Sequence, residues 1–257
     1  MTRRIPFEGI DNFRDFGDYA AGARRLRRGV LYRSAHQATA TEEDLAKLAG
    51  LGLSVIVDLR RSNERQSQPS RRWDGFAAQV IENDIGQEHA DEWHTFIESS
   101  DLTAASFHAY MMDYYRGAPF ATRHLDLYSR YFQALAETEG AVLVHCAAGK
   151  DRTGILCALT HHLAGVHDDD IVEDYLLTND PERLERRLPT IRENIRQATG
   201  RTPDDKALMT AMRVEAEYLE TAFAVMRERC GSLDGYLEAE LGLTGELREK
   251  IHDRLLA

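Results

Sequence analysis

The stretch "AVLVHCAAGKDRTGILCALTHHLAG", residues 141–165, constrains this chain more than any other part of it. A β-branched apolar run ends at His145 and Cys146, gives way to small and charged residues, and resumes as a long apolar segment. That pattern predicts a buried strand, a short loop and a buried helix, the unit from which an α/β layer is built. Cys146 and Arg152 bracket five residues, 147–151. Between a strand and a helix, this spacing lets successive N–H groups curl around one centre while the helix N-terminus adds partial positive charge. An oxyanion fits such a centre. Ala147 and Ala148 keep it open, Gly149 permits a sharp turn, and Arg152 can hold two phosphoryl oxygens in bidentate fashion.

Cys146 would then lie beneath the phosphorus, in a setting that favours thiolate over thiol. In-line attack gives a cysteinyl-phosphate that water hydrolyses, and a hydroxyl hydrogen bond from Thr153 eases departure of the sulfur. His145 leaves the strand on the face opposite Cys146, which suits a brace for the loop rather than a base. Cys157, inside the apolar helix pattern, reads as core. A nucleotide triphosphatase is disfavoured, because "AAGKD" lacks the earlier glycine and the following Ser or Thr of a P-loop. A sulfur-transfer loop and a silent phosphate-binding module are the remaining rivals.

Three cysteines in 257 residues, widely spaced, make neither a disulfide framework nor a clustered metal site. They fit a reducing cytoplasmic setting, with secretion lacking a cleavable signal left open. No cofactor or metal is expected. The formal net charge of -11 argues against an extended nucleic-acid footprint, and no apolar run reaches the length of a membrane span. The same charge repels anionic substrates at long range, so a phosphate site needs a local basic cluster. Arg14, Arg33, Arg60, Lys150 and Arg152 are the candidates.

Along the chain, "NFRDFG" and "GVLYRSA" read as short strands. A helix follows, capped by Thr39 with Glu42 or by Thr41 with Asp44 and ended by Gly50 or Gly52. "LSVIVDLR" reads as a second buried strand, and "FAAQVIE" as a shorter one. Residues 92–115 look helical, in one piece or two, before a helix over 122–138. Everything from 168 onward reads as helix, with "PDDKALMTAMRVEAEYLETAFAVMRERC" a continuous stretch.

The signature His-Cys, five residues, Arg, Thr resembles that of the cysteine-dependent protein tyrosine phosphatase superfamily. "HCAAGKDRTG" is more specifically similar to the atypical bacterial tyrosine and dual-specificity phosphatases that also hydrolyse phosphoinositides, the group of the secreted mycobacterial PtpB-type enzymes. "NFRDFG", "LYRSA", "VIVDLRRSNE" and "EYLETAFAVMRERCGSLDGYL" extend the similarity along the chain. The resemblance implies a tyrosine-phosphatase-like central sheet flanked by helices with additional helical cover, in one phosphatase domain over 1–257. Within it stand a lid or insertion around 90–120 and a helical portion over 168–257. It makes Cys146 the nucleophile and Arg152 the phosphate clamp, and gives Lys150 a second phosphate to meet on an inositol ring. The implied partners are a phosphorylated protein or a phosphoinositide, with inorganic phosphate as product; the oligomeric state is not legible.

Protonation of the leaving group demands a carboxyl near the ester oxygen. Asp58 at the end of "VIVD", Asp151 beside the clamp and Asp84 in "ENDIG" are the candidates, and the resemblance also points to Asp58. Asp58 can instead order Arg60 or the loop. Arg60 and Glu64 have the spacing of a structural ion pair, and Arg14 with Asp15 suits anchoring of the site wall. Trp93, Phe96, Phe107, Tyr110, Tyr114 and Tyr115 either pack in the core or cover the site.

Overall fold

The computed structural model describes residues 3–86 and 92–257. Its centre is a five-stranded sheet in the order β1-β4-β7-β5-β6, built from β1 (Arg14–Asp15), β4 (Leu31–Ser34), β5 (Leu53–Asp58), β6 (Gln79–Ile81) and β7 (Ala141–His145). β1 runs antiparallel to β4, and the other neighbours are parallel. β2 (Ala20–Ala21) and β3 (Arg24–Arg25) form a separate hairpin. Parallel strands need crossovers, and α1 (Glu42–Ala49) supplies the one from β4 to β5. Of the two caps read in the sequence, Thr41 and Asp44 form the reciprocal box, and the helix ends at Gly50.

The remaining helices are α2 (Ser62–Ser67), α3 (Glu92–Ser99), α4 (Ala104–Gly117), α5 (Thr122–Glu137), α6 (Asp151–Ala164), α7 (Asp168–Leu176), α8 (Pro181–Thr199), α9 (Asp205–Met212), α10 (Ala216–Cys230), α11 (Leu233–Ala239) and α12 (Gly245–Leu255). The stretch over 92–115 expected to be helical in two pieces or one is α3 followed by α4; residues 90 and 91 of the lid or insertion expected around 90–120 lie outside the described residues. The segment read as continuous from 203 to 230 is broken at 213–215.

Strand alternation divides the core. Val142 and Val144 of β7, with Val55, Val57 and Leu31, face the larger cluster with α5, α6 and α10. Leu143, Ile56 and Tyr32 face a smaller cluster with Leu45 and Leu48 of α1. α6 is buried on nearly every side, as the apolar run 155–159, which wraps its whole circumference, requires. A third cluster stands apart from the sheet: Ile97, Phe107, Ile195 and Leu208 join α3, α4, α8 and α9. This helical group forms one side of the candidate site.

Candidate active site

β7 is the middle strand, and the loop that follows it leaves the sheet at the carboxyl ends of the parallel strands, the usual position for a ligand site in such sheets. Cys146 directly follows the strand and is 2 % exposed. The next three carbonyls all point away from the loop centre. That of Ala147 accepts from the His36 amide at 3.2 Å. That of Ala148 accepts from Arg183 at 3.3 Å and from the Asn12 side chain at 3.4 Å. That of Gly149 accepts from Asn12 at 2.7 Å and Arg33 at 3.1 Å.

Because C=O and the following N–H are opposed across a trans peptide plane, outward carbonyls aim the amides of 148–150 inward. Gly149 has φ +63°, and a Cβ there would stand 2.4 Å from the Ser34 carbonyl oxygen. Only glycine combines that backbone with that approach. α6 then begins with no side-chain cap, whereas α1, α4, α9, α11 and α12 are capped by Thr41, Thr103, Asp204, Ser232 and Thr244. The first-turn donors of α6 are therefore left for an anion.

Arg152 is held by Glu64 in a two-pronged ion pair, at 2.5 Å and 2.7 Å, and donates to the Leu59 carbonyl at 3.2 Å. Burial pushes the Glu64 carboxyl up, but the charge and hydrogen bonds of Arg152, with the Arg61 amide, bring it down to about 2. The expected Arg60–Glu64 pair is thus corrected. Arg60 turns back to Asp58, with contacts of 2.7–3.2 Å. The reason is that β5 ends before α2 begins, so Arg60 and Glu64 are not on one helix face.

Asp58 does not fit the role of leaving-group acid. It is buried, it accepts from Nε and Nη2 along one edge of the Arg60 guanidinium, and it is not among the residues lining the cavity. Burial raises its carboxyl, but the charges of His145 and Arg60 and the Arg60 hydrogen bonds hold it at about 2. Burial also lowers the imidazole of His145 to about 4. His145 is thus neutral at pH 7, and Arg60 keeps Asp58 ionised. Asp84 is exposed, paired with Arg65, and likewise outside the cavity lining.

Asp151 lines the cavity. Its Oδ1 accepts from the Tyr115 hydroxyl at 2.8 Å, and that hydroxyl is 2.6 Å from the hydroxyl of Tyr175. Tyr175 reaches this position because α6 carries Gly154, where a Cβ would stand 2.8 Å from the Tyr175 ring. Lys150 also lines the cavity, but its ammonium donates to the carbonyls of Ala211 at 2.8 Å and Arg213 at 3.3 Å at the end of α9. The Thr153 hydroxyl is buried and has no hydrogen-bond partner among the described residues.

The basic cluster read in the sequence separates into two sets. Arg14 and Arg33 are buried on either side of Asp174, at 3.2 Å and 2.8 Å, and Arg60 is spent on Asp58. They brace the loop and its surroundings instead of facing substrate, because a buried guanidinium needs a carboxylate close by. Arg61, Arg123 and Arg152 line the cavity instead. Arg123 donates to the carbonyls of Leu59 and Arg60, and burial and the Arg152 charge lower it to about 10. Sequence reading missed Arg123, Glu64 as partner of the clamp, and Asn12 and Asp174 as supports. All of these act across distances in the chain that no local pattern encodes.

The cavity measures about 380 Å³, and its α3–α4 side presents Trp93, Tyr110, Met111 and Tyr114. Phe96 and Phe107 pack instead in the helical cluster behind it. No group of His, Cys, Asp and Glu among the described residues has the arrangement of a metal site. No helix among them is long and apolar enough to cross a membrane.

Comparison with known proteins gives the same direction as this geometry. The chain is 34% identical over 267 residues to the triple specificity protein phosphatase PtpB of Mycobacterium tuberculosis, covering 92% of each. It is 31% identical over 241 residues to a Cupriavidus necator protein provisionally named a tyrosine-protein phosphatase, covering 92% of this chain and 84% of that one. A tyrosine-protein phosphatase of Nostoc commune is 28% identical, covering 92% and 77%. The family model described as "Tyrosine phosphatase family" matches residues 5–257, and the chain belongs to that family.

Proposed function

We propose that this protein hydrolyses phosphomonoesters through a cysteinyl-phosphate, with phosphotyrosine as its principal substrate class. The observation that carries the reading is the loop 147–152. Its carbonyls are tied outward by Asn12, Arg33, His36 and Arg183, and its arginine is aligned by Glu64. In the proposed reaction Cys146 attacks phosphorus in line, the amides of 147–152 and Arg152 hold the non-bridging oxygens, and Asp151 protonates the departing oxygen. Asp151 then takes a proton from the water that cleaves the S–P bond. Thr153, with its hydroxyl in the first turn of α6 and otherwise unbonded, steadies the leaving sulfur.

The aromatic wall suits a phenyl ring, and the cavity volume suits a phosphorylated side chain better than a folded domain. The mycobacterial relative is a triple specificity protein phosphatase, which supports a proposed range wider than phosphotyrosine; phosphoserine, phosphothreonine and phosphoinositides enter it on the resemblance of the loop "HCAAGKDRTG". On this reading a second phosphate of an inositol ring meets Arg61 and Arg123, and Lys150 only if it leaves the Ala211 and Arg213 carbonyls.

The test is turnover of an aryl phosphate in the presence of a chelator, beside Cys146→Ser. The wild type should turn over, Cys146→Ser should fall to background, and rapid quench should trap phosphate on Cys146. Wild-type rates in the serine variant would overturn the mechanism. Phosphotyrosine peptide and phosphoinositides assayed side by side divide the substrate range.

A further inference from the structure

α4 sends two consecutive tyrosines towards the site, and the surroundings treat them differently. The hydroxyl of Tyr115 is fully engaged by Asp151 and Tyr175. Tyr114 lines the cavity, and its hydroxyl oxygen is shielded from solvent with no hydrogen-bond partner among the described residues. A phenol in that condition loses its hydration and gets no bond in return, which native structures rarely tolerate without a reason. Packing does not supply one, since a phenylalanine would fill the same ring space. Position does. After burial, the groups whose charges act most strongly on Tyr114 are Arg152, Asp151, Cys146 and Arg123. These are the proposed clamp, acid and nucleophile, with the second cavity arginine beside them.

Building on the proposed phosphatase reading, we infer that Tyr114 contacts the substrate directly. Its hydroxyl donates a hydrogen bond to a non-bridging oxygen of the phosphoryl group from the α4 side, opposite the loop amides. The division of labour follows from the partners. Asp151 serves the bridging oxygen, while the amides and Arg152 approach the phosphoryl group from the loop. An oxygen turned towards α4 is met by Tyr114. Burial pushes the phenol well above its ordinary range, so it stays protonated at any working pH and remains a donor. It keeps its proton through both steps: the bond is made to the substrate, persists in the transition state and persists in the cysteinyl-phosphate. A donor fixed in a water-poor site before charge redistributes stabilises the transition state without reorganising.

The experiment uses the full chain with Tyr114→Phe. We expect kcat/KM for an aryl phosphate to fall roughly 10- to 100-fold, the range for loss of one hydrogen bond to a charged group. The inhibition constants of inorganic phosphate and orthovanadate should rise by a similar factor. The melting temperature should stay level or rise, since the change removes a buried, unbonded hydroxyl. The pH profile should keep its shape, because Asp151 and Tyr115 are untouched. Unchanged kcat/KM and unchanged inhibition by both anions would overturn the inference while leaving the parent reading intact. A fall in activity with a lower melting temperature and unchanged anion inhibition would also overturn it, by reducing Tyr114 to packing. A wild type with neither turnover nor phosphate inhibition would overturn both.

Discussion

At the scale of single residues, two aspartates that look alike in sequence are separated by their neighbours. Asp58 meets a guanidinium edge on and is held ionised, whereas Asp151 meets a tyrosine hydroxyl at the rim of the cavity. A carboxylate locked to a buried guanidinium away from the cavity has no route to a leaving oxygen, whereas Asp151, with one oxygen on Tyr115 and the other 3.6 Å from the Lys150 ammonium, lines the cavity itself. Asp151→Asn should therefore lose the basic limb of the pH–rate profile. It should be impaired far more towards alkyl phosphates than towards aryl phosphates with good leaving groups. Asp58→Asn should keep the profile and lose stability, about 3–5 kcal/mol, because it strands a buried Arg60. Steady-state kinetics over pH with two leaving groups, together with urea melts, checks both expectations. An Asp151→Asn profile that retains its basic limb would remove that residue from the chemistry.

At the scale of elements, β7, its loop and α6 were legible because every local signal agreed: β-branched run, small residues, glycine, then an unbroken apolar helix. The cap of α1 was legible for the same reason, as Thr41 and Asp44 sit at the box spacing. The break between α9 and α10 was not, since "RVE" at 213–215 contains neither Gly nor Pro. Tertiary contact makes that break: Asn179 bonds both the amide and the carbonyl of Val214, at 2.8 Å and 2.7 Å. The carbonyl partners of Lys150 were not legible for a related reason, because they lie at this same break.

The aromatic residues of α3 and α4 divide between two positions. Phe96 and Phe107 pack behind the wall that Trp93 and Tyr114 present. If this wall closes over bound anion, orthovanadate should slow proteolytic cleavage within 92–120 several-fold. Mass mapping of the fragments reads that directly, and an identical cleavage pattern would mean a fixed wall.

At the scale of the whole molecule, acid should act through buried histidines before it reaches the carboxylates. Burial lowers His145 to about 4 and His124 to about 3. In the unfolded chain both titrate near ~6.5, so the unfolded state binds more protons over the interval between. The stability due to their neutrality is complete above about pH 6.5 and is lost as pH falls towards 4. The slope is up to ~1.4 kcal/mol per pH unit for each histidine. The losses from Asp58 and Glu64, both held at about 2, come later, between about pH 4 and 2. Denaturant unfolding at pH 7, 6 and 5 should show the decline, and His124→Gln should lessen it by about one proton. A flat profile from pH 7 to 5 would contradict the burial assigned to these rings.

The loop after β7 is stitched from outside by Asn12, Arg33, His36 and Arg183, contributed by the residues before β1, by β4, by the turn that follows it and by α8. A ribosome must therefore carry the chain well past the loop, through Arg183, before every fastening can form. A nascent fragment that already contains Cys146 and Arg152 but stops short of α8 still lacks one of them.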